Sequence, residues 1–555
     1  MPIPRKYLTI AVFLLLSAAG DAQTYHELYR PGFHFSPKEK WMNDPNGLVH
    51  FDGVYHLFFQ YYPGDIVWGP MHWGHATSRD LVHWQQQPIA LYPDSLGYIF
   101  SGSVVVDSNN TSGFAGLLAN GSSGGPEVRP APANIKAPKG KTASGRNVAR
   151  SPDKSPARER SSQPAGTIPL VAVFTQHDTA GERRHALDFQ RQSLAYSLDE
   201  GATWTKYAGN PVLPNPGVAD FRDPNVSWYA KGRKWVMALA VRDRITFYSS
   251  PDLKSWSKES EFGADAGAHG GVWECPNLFP MTLKVREMVR SYWVLLVSNN
   301  PGGPNGGSGT QYFIGQWDGH VFKAVDTITR WIDYGPDDYA GAVWSNTAHR
   351  RVFLGWMSNW EYANQLPTST WRNAMTIPRN LSLQESRSKI LLASEPVKEL
   401  YTLTKRKVEL RHIVVDSSTS LTGMLKDTAG RYILDVEGPA DGSVAFVFSN
   451  TSGEHLVFGY NAVKDQYYLD RSAAGRSDFH PGFGGLYIAP RLANSNSLRL
   501  QFVMDRSSLE VFADGGLTVM TGVFFSQQPM TRLRVNTTGP WTMRKVDYRA
   551  LGSIW

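Results

Sequence analysis

Short runs in which apolar and polar residues alternate follow one another along most of the chain. Tyr55–Gln60 is one such run, and Leu498–Met504 and Ser508–Phe512 alternate in the same way. A period of two residues is typical of a β-strand with one buried face. No long segment shows the 3.6-residue period of an amphipathic helix. The pattern therefore predicts an all-β protein.

A loose repeat runs through the first two thirds of the chain. A serine, an acidic turn and a tryptophan recur in Ser78–Trp84, Ser197–Trp204 and Ser250–Trp256, with a weaker copy in Tyr312–Gly319. The first three copies each follow an apolar run, as the outer hairpin of a β-propeller blade would. The repeat predicts propeller blades, although unrelated β-hairpins could share it by chance.

The pattern changes after about residue 385, where strands with one apolar and one polar face suggest an antiparallel β-sandwich. We place the boundary around the polar run Gln384–Ser388. The predicted organisation is a signal peptide over 1–22, a propeller domain over 23–385 and a C-terminal sandwich over 395–555.

The formal charge of +7 is concentrated in one place. Residues 121–167 carry nine Lys or Arg against three acidic residues and are rich in Pro, Gly, Ser and Ala. Such a segment cannot bury enough apolar surface to offset its ordering entropy, so we predict a disordered basic insertion. The rest of the chain is close to neutral, which argues against a nucleic-acid or membrane partner. Polyanion binding by the insertion itself remains an alternative.

The N-terminus resembles a secretory signal. Arg5 and Lys6 precede the apolar run Tyr7–Leu16, and small residues follow at Ser17–Gly20. We therefore expect a secreted, extracellular protein. Glycosylation sequons, which matter only in a eukaryotic secretory route, begin at Asn109, Asn110, Asn120, Asn225, Asn380, Asn450 and Asn536. The single cysteine, Cys275, excludes an intrachain disulfide.

The segment Trp41–Gly47 is the most informative in the chain. Pro45 restricts Asp44 to an extended conformation, and Asn46-Gly47 suits a tight hairpin turn. The sequence thus predicts Asp44 at the mouth of a strand pair, although Asp-Pro-Asn-Gly is often only a turn.

Two further motifs place a carboxylate next to or near a proline. Phe221–Pro224 contains Asp223 next to Arg222, and Trp273–Pro276 contains Glu274. Each motif alone is weak, because an Arg-Asp-Pro is usually a salt-bridged loop. In a propeller, however, the inner strands converge on one axial funnel, where residues distant in sequence meet.

Together these motifs resemble glycoside hydrolase family 32, the invertases, inulinases and levanases. The similarity extends to Phe58–Tyr61, Trp68–His75, Phe100–Ser103, Leu354–Trp360 and Asp505–Phe512. It covers the mature chain except the 121–167 insertion and looks closest to the levanase and exo-inulinase branch. The resemblance implies a five-bladed β-propeller followed by a β-sandwich.

The resemblance also implies roles for individual residues. Asp44 would be the nucleophile, Glu274 the general acid/base and Asp223 the stabiliser of the transition state. Arg222 would donate hydrogen bonds to Asp223 or to substrate, with a structural ion pair as the alternative. The expected sugar-binding residues are Trp41, Asn43, Gln60, Trp68, Phe100, Ser101, Asp338 and Trp356. Core packing remains an alternative for each tryptophan.

The predicted function is a secreted, retaining β-fructofuranosidase acting on sucrose, levan and inulin. Such chemistry needs a nucleophilic carboxylate and a second, protonated carboxyl group. We expect no cofactor and no metal, because no Cys/His cluster has ligand spacing. A fructosyltransferase and a catalytically silent fructan-binding lectin are the alternatives. The sequence does not indicate the oligomeric state.

Overall fold

A computed structural model describes residues 25–118, 167–426 and 430–555. The predicted signal peptide and residues 121–166 of the basic insertion lie outside these ranges. The regular secondary structure of the described residues is almost entirely strand, as the alternating pattern predicted. Its short helices are α1 (Thr179–Arg183) and the 3₁₀ turns Phe114–Leu118, Ala363–Gln365 and Lys398–Leu403.

Five antiparallel sheets follow one another along the first part of the chain. The first contains β1 (Lys40–Phe51), β2 (Val54–Tyr62), β3 (His72–Ser78) and β4 (Gln85–Leu91). The second contains β5 (Tyr98–Val106), β6 (Leu170–His177), β7 (Gln190–Ser197) and β8 (Thr205–Lys206). The third contains β9 (Phe221–Tyr229), β10 (Lys234–Val241), β11 (Arg244–Ser250) and β12 (Ser257–Phe262). The fourth contains β13 (Val272–Val285), β14 (Met288–Asn300), β15 (Gly309–Trp317) and β16 (Phe322–Ala324).

The fifth sheet closes the ring. It contains β17 (Tyr339–Val343) and β18 (Val352–Met357), while β19 (Trp371–Arg372) pairs in parallel with β1 of the first sheet. The sheet continues with β20 (Ala374–Met375), β21 (Arg379–Ser386) and β22 (Lys389–Pro396). Each innermost strand contacts the innermost strand of the next sheet, and β17 contacts β1. The sheets are therefore the five blades of a β-propeller, as predicted.

The sequence repeat occupies equivalent places in three blades. Ser78, Ser197 and Ser250 end the third strand of their blades, and each hydroxyl donates to the aspartate two residues later. The aspartates in turn accept backbone N–H groups of the connection to the fourth strand. The repeat thus marks the outer hairpin of the blade, as the sequence indicated.

The C-terminal part is a sandwich of two six-stranded sheets. Its strands are β23 (Thr404–Val415), β24 (Ser418–Ser420), β25 (Tyr432–Pro439), β26 (Val444–Ser449), β27 (His455–Asn461), β28 (Gln466–Asp470), β29 (Leu486–Pro490), β30 (Ser497–Met504), β31 (Ser508–Ala513), β32 (Thr518–Val523), β33 (Arg532–Thr537) and β34 (Trp541–Leu551). Side chains such as Leu434, Phe446 and Phe502 fill the space between the sheets. The run Gln384–Ser388, where the sequence analysis placed the domain boundary, comprises the end of β21 and the two-residue turn to β22; the domain division itself stays a prediction.

Strand β31 differs from its expected one-sided burial, because every residue of it is buried. Leu509 and Val511 face the sandwich core, whereas Glu510 points to the propeller and pairs with Arg379 of β21. Arg379 also binds Asp333 at 3.0 Å and Asp338 at 2.8 Å. The polar face of this strand therefore forms a buried ionic contact between the sandwich and the propeller.

His34 completes this contact. Its Nδ1 lies 2.7 Å from Asp505 and its Nε2 lies 2.8 Å from Glu510, and all three side chains are fully buried. Burial lowers the pKa of His34, but the hydrogen bonds and charges of Asp505 and Glu510 prevail and raise it to about 9. Both ring nitrogens therefore donate over the neutral and acidic range.

We expect the stability of the protein to fall as pH rises from about 6.5 to about 9. A histidine whose pKa is higher in the folded state stabilises the fold fully below its unfolded pKa, and this contribution is lost as pH rises through the folded pKa. The shift from 6.5 to about 9 corresponds to about 3 kcal/mol. Thermal melting of wild type and His34→Gln across this range measures it, with exposed His83→Gln as the control. Parallel curves for wild type and His34→Gln would contradict the assignment.

Candidate active site

All five innermost strands are interrupted by a β-bulge. Strand pairing shifts register between Met42 and Pro45, Ile99 and Gly102, Arg222 and Asn225, Glu274 and Asn277, and Tyr339 and Ala342. A bulge re-aims a side chain out of the regular alternation of a strand and is frequent beside active sites. The bulged residues Asp223, Cys275 and Ala340 have φ of 64°, 47° and 53°, in the left-handed region. Each blade thus turns a side chain towards the axis.

Asp44 lies inside β1 rather than at a hairpin turn, so that part of the sequence prediction was wrong. The turn follows at Asp52-Gly53, and Pro45, which has no N–H to donate, is accommodated beside the bulge. Gly47 has φ of +53°, and a Cβ there would meet Phe58 and Val104 at 2.8 Å. The residues that suggested a turn instead allow β1 to bulge and to pack closely against its neighbours.

Hydrogen bonds hold the Asp44 carboxylate on both oxygens. Ser101 Oγ donates to Oδ2 at 2.7 Å, and Asn43 Nδ2 donates to Oδ1 at 3.0 Å. The Trp41 indole N–H in turn donates to Asn43 Oδ1 at 2.8 Å, which fixes the orientation of that amide. Burial raises the pKa of Asp44, the charge of Glu274 adds to this effect, and the hydrogen bonds oppose it. The donors therefore favour the ionised form that a nucleophile requires.

Asp223 and Cys275 lie next to this carboxylate. The backbone N–H of Cys275 donates to Asp223 Oδ2 at 3.2 Å, and its Sγ lies 3.5 Å from Asp44 Oδ2 and 3.6 Å from Asp223 Oδ2. Burial raises the pKa of Asp223 to about 7, with the charges of Glu274 and Asp44 adding to it and Arg222 opposing it. Burial and the adjacent carboxylates also raise the pKa of the Cys275 thiol well above its usual value. Cys275 is therefore a neutral thiol and an unsuitable nucleophile.

Glu274 is held from two sides. Arg222 donates to its Oε1 from Nη2 at 2.9 Å and from Nε at 3.2 Å, and the Tyr339 hydroxyl donates to Oε2. Arg222 also contacts Asp220 at 2.5 Å, whereas its Nε is 3.9 Å from Asp223. The guanidinium thus bridges Asp220 and Glu274, and its distance to Asp223 is too long for a hydrogen bond.

These groups line a pocket of about 270 Å³. Nine of the twelve predicted site residues line it: Asn43, Asp44, Gln60, Trp68, Phe100, Ser101, Arg222, Asp223 and Glu274. A larger depression of about 680 Å³ lies elsewhere, beside Arg350 and Arg351, but none of the described residues that line it is a carboxylate. The smaller pocket therefore carries the candidate chemistry.

Three predicted residues, Trp41, Trp356 and Asp338, do not line the pocket. Trp41 and Trp356 are fully buried behind Trp360, with ring centroids 6.1 and 4.8 Å from its ring. Asp338 is buried and binds Arg379 in the contact between the domains. Burial raises the pKa of Asp338, Arg379 opposes this, and Asp333 and Glu510 add to it. Trp41 and Trp356 thus lie behind Trp360, which lines the pocket, whereas Asp338 serves the contact with the sandwich.

The sequence analysis missed seven residues of the site. Six line the pocket, namely His177, Glu182, Phe189, Gln190, Asp220 and Trp360, and Tyr339 binds Glu274. Asp220 precedes the motif Phe221–Pro224, Trp360 ends the motif Leu354–Trp360, and Tyr339 follows the predicted residue Asp338. His177 and Gln190 are paired at the ends of β6 and β7, where no short motif identifies them. Only the fold brings them to the pocket.

Carboxylates from different blades converge on one pocket. Asp44 accepts hydrogen bonds from neutral donors, whereas Glu274 accepts them from an arginine and a tyrosine. This is the arrangement of a glycoside hydrolase, which cleaves glycosidic bonds with a pair of carboxyl groups. The glycosyl hydrolases family 32 N-terminal domain matches residues 34–396, and the family 32 C-terminal domain matches residues 399–548. The chain belongs to glycosyl hydrolase family 32 and is a glycosidase.

Individual relatives agree with this assignment. A levanase of Bacillus subtilis is 41% identical over 99% of this chain and 74% of its own length. An extracellular exo-inulinase of Aspergillus niger is 36% identical over 99% of both chains. The crystal structure of an exo-inulinase from Aspergillus awamori superposes with a TM-score of 0.79 at 33% identity, covering 96% of this chain and 100% of that one.

Two further features bear on the predicted partners. No helix in the described residues is long and apolar enough to span a membrane. Across residues 25–118, 167–426 and 430–555, no group of three or more His, Cys, Asp and Glu side chains is placed to hold a metal ion.

Proposed function

We propose that the protein is a retaining exo-β-fructofuranosidase that removes terminal fructose from sucrose and from fructans. The observation that carries this proposal is the convergence of Asp44, Asp223 and Glu274 in one pocket, each with its own set of hydrogen-bond partners. The levanase and exo-inulinase relatives support fructose polymers as substrates. A fructofuranosidase of Schwanniomyces occidentalis, 28% identical with a TM-score of 0.78, was solved in complex with fructosylnystose.

The proposed mechanism has two displacements. Asp44 attacks C2 of the terminal fructosyl unit while Glu274 protonates the departing glycosidic oxygen, and a fructosyl–Asp44 ester forms. Glu274 then removes a proton from water, which attacks C2 and releases fructose with retained configuration. Asp223 lies beside Asp44 and would stabilise the positive charge that develops on the sugar. Burial and the charges of Glu274 and Asp44 raise the pKa of Asp223 to about 7, with Arg222 opposing them. The proton that reaches the departing oxygen in the first step is the one carried by Glu274, which regains a proton from water in the second step.

The arrangement of the pocket supports terminal attack. Asp44 and Asp223 are almost completely buried, with 9% and 5% exposure, so they define its closed end. A terminal sugar can reach this end, whereas an internal unit of a polymer would need both of its neighbours accommodated there. The remainder of the substrate would extend towards the open side.

Secretion is part of the proposal. The Arg5-Lys6 pair and the apolar run Tyr7–Leu16 have the form of a signal peptide, and relatives are named extracellular exo-inulinases. An exported enzyme meets sucrose and fructan polymers outside the cell.

A product time course tests the function. The protein is incubated separately with sucrose, inulin and levan, and the sugars are separated by chromatography. Free fructose as the only early product from the polymers is the expected result. Early oligosaccharides from the polymers would indicate endo attack, and oligosaccharides growing from concentrated sucrose would indicate a fructosyltransferase. No product from any of the three would favour the lectin.

We expect Ser101→Ala to move the acidic limb of the pH profile of kcat/KM to higher pH. The Ser101 hydroxyl stabilises ionised Asp44, so its removal raises the pKa of Asp44 further. One hydrogen bond to a charged group corresponds to about one pH unit. The measurement is kcat/KM for sucrose as a function of pH, with exposed Ser95→Ala as the control. An unchanged acidic limb would show that Ser101 does not set the ionisation of Asp44.

A further inference from the structure

One wall of the pocket is built by the connection between β6 and β7. Helix α1 lies in this connection and carries Glu182, whose side chain lines the pocket and is 52% exposed. The side chain of Glu274 is only 19% exposed. Glu182 thus stands at the open side of the pocket, away from the buried carboxylates.

A directed chain of hydrogen bonds leads to Glu182. The backbone N–H of Phe221 donates to Gln190 Oε1 at 2.9 Å, which fixes the orientation of the amide. Gln190 Nε2 therefore donates to His177 Nδ1, 3.2 Å away. With Nδ1 accepting, the proton of a neutral ring resides on Nε2, which donates to Glu182 Oε2 at 2.9 Å. Burial lowers the pKa of His177, with Glu182 opposing it, which agrees with a neutral ring.

Neighbouring groups hold both His177 and helix α1 in place. Phe100 stacks on the His177 ring with centroids 4.2 Å apart and planes 13° apart. The first turn of α1 is capped by Asp178, whose Oδ1 accepts the backbone N–H of Ala180 at 3.0 Å. In the described part of the chain no donor reaches the second oxygen of Glu182, Oε1. The hydrogen bond from His177 to Oε2 therefore orients the Glu182 carboxylate, and Oε1 can accept a hydrogen bond from a ligand.

We propose that Glu182 is a specificity residue that accepts a hydrogen bond from a hydroxyl of the sugar on the leaving-group side of the scissile bond. This inference rests on the proposed function, because it requires a terminal fructosyl unit at the buried carboxylates. The leaving sugar then extends towards the open side, where Glu182 stands. A carboxylate whose remaining oxygen is available is a strong acceptor for a sugar hydroxyl.

The test compares two substrates that differ only in the leaving group. Sucrose carries a hydroxyl-bearing glucosyl group, whereas methyl β-D-fructofuranoside carries a methoxy group with no hydroxyl. We expect Glu182→Ala to lower kcat/KM for sucrose roughly 10- to 100-fold, the effect of losing one charged hydrogen bond, and to leave that for the methyl fructoside unchanged. Glu182→Gln keeps an acceptor oxygen without the charge and is expected to lose less.

Asp188→Ala is the matched control, because Asp188 lies in the same connection, is exposed and pairs with Arg191 at 3.5 Å outside the pocket. Its kinetics should equal those of wild type on both substrates. An equal loss on both substrates in Glu182→Ala would overturn the assignment, as would full activity on sucrose. Unchanged thermal melting excludes a folding defect. Failure of the proposed function itself is recognised separately, because wild type would then release no fructose from either substrate.

Discussion

Replacing Asp44 by asparagine is expected to lower kcat for fructose release from sucrose by about 10⁴-fold. The amide has nearly the shape of the carboxylate but cannot form the fructosyl ester. Ser101 and Asn43 would still surround it, so the pocket should keep its geometry. The loss would therefore report on the nucleophile rather than on the fold.

Steady-state kinetics on sucrose measure this effect, and thermal melting checks the fold. Asp52→Asn is the matched control, because Asp52 is exposed in the turn at the far end of the same strand and asparagine tolerates its φ of 45°. The control is expected to behave as wild type. If Asp44→Asn kept more than about one hundredth of the activity, Asp44 would not be the nucleophile.

The fold class could be predicted from the alternation of apolar and polar residues, which shows which faces the strands bury, and from the resemblance to family 32. Alternating runs predicted the strands, and the Ser–Asp–Trp repeat predicted the outer hairpins. The alternation of Ser508–Phe512, however, indicated a polar face exposed to solvent. In the structure Glu510 is buried against the propeller, since Arg379 and His34 supply the opposite charges. One strand's pattern cannot reveal partners that lie more than 100 residues away.

The site was predicted best where the chemistry lies in a short motif. Asp44 and Asp223 each directly precede a proline, Glu274 lies two residues before one, and all three share the pocket, although their roles remain proposals. Asp338 shows the limit of such inference, because a carboxylate in a motif can serve the domain contact instead of the pocket. Glu182 and His177 show the opposite limit. They are brought to the pocket by the pairing of β6 with β7 and by the stacking of Phe100, and neither is visible in a local pattern.

The segment Asp337–Tyr339 links the pocket to the buried contact with the sandwich. Asp338 and Tyr339 are adjacent in the chain, and the side chain of one binds Arg379 while that of the other binds Glu274. Asp337, on the other side of Asp338, binds Arg471 of the sandwich at 2.6 Å. The sandwich therefore anchors the segment that supplies a donor to the proposed acid/base. This contact would give the sandwich a role in positioning Glu274.

Replacing Glu274 by glutamine is expected to lower kcat/KM for sucrose by about 10²- to 10⁴-fold, because the departing oxygen loses its proton donor. A donor with a good leaving group, β-D-fructofuranosyl fluoride, needs little protonation and should form the fructosyl–Asp44 ester at a rate closer to that of wild type. The second step would then be slow, since water lacks its base.

Added azide distinguishes this role from a structural one. Azide needs no base to attack, so with the fluoride it should restore turnover of Glu274→Gln and give fructosyl azide of β configuration, the outcome of two inversions at C2. Glu287→Gln, in the exposed turn at the far end of the same strand, should match wild type and show no rescue. Full activity of Glu274→Gln on sucrose would remove the acid/base assignment, and an azide product of α configuration would rule out the covalent intermediate. A variant that loses both substrates equally and is not rescued would show that Glu274 maintains the pocket without transferring protons.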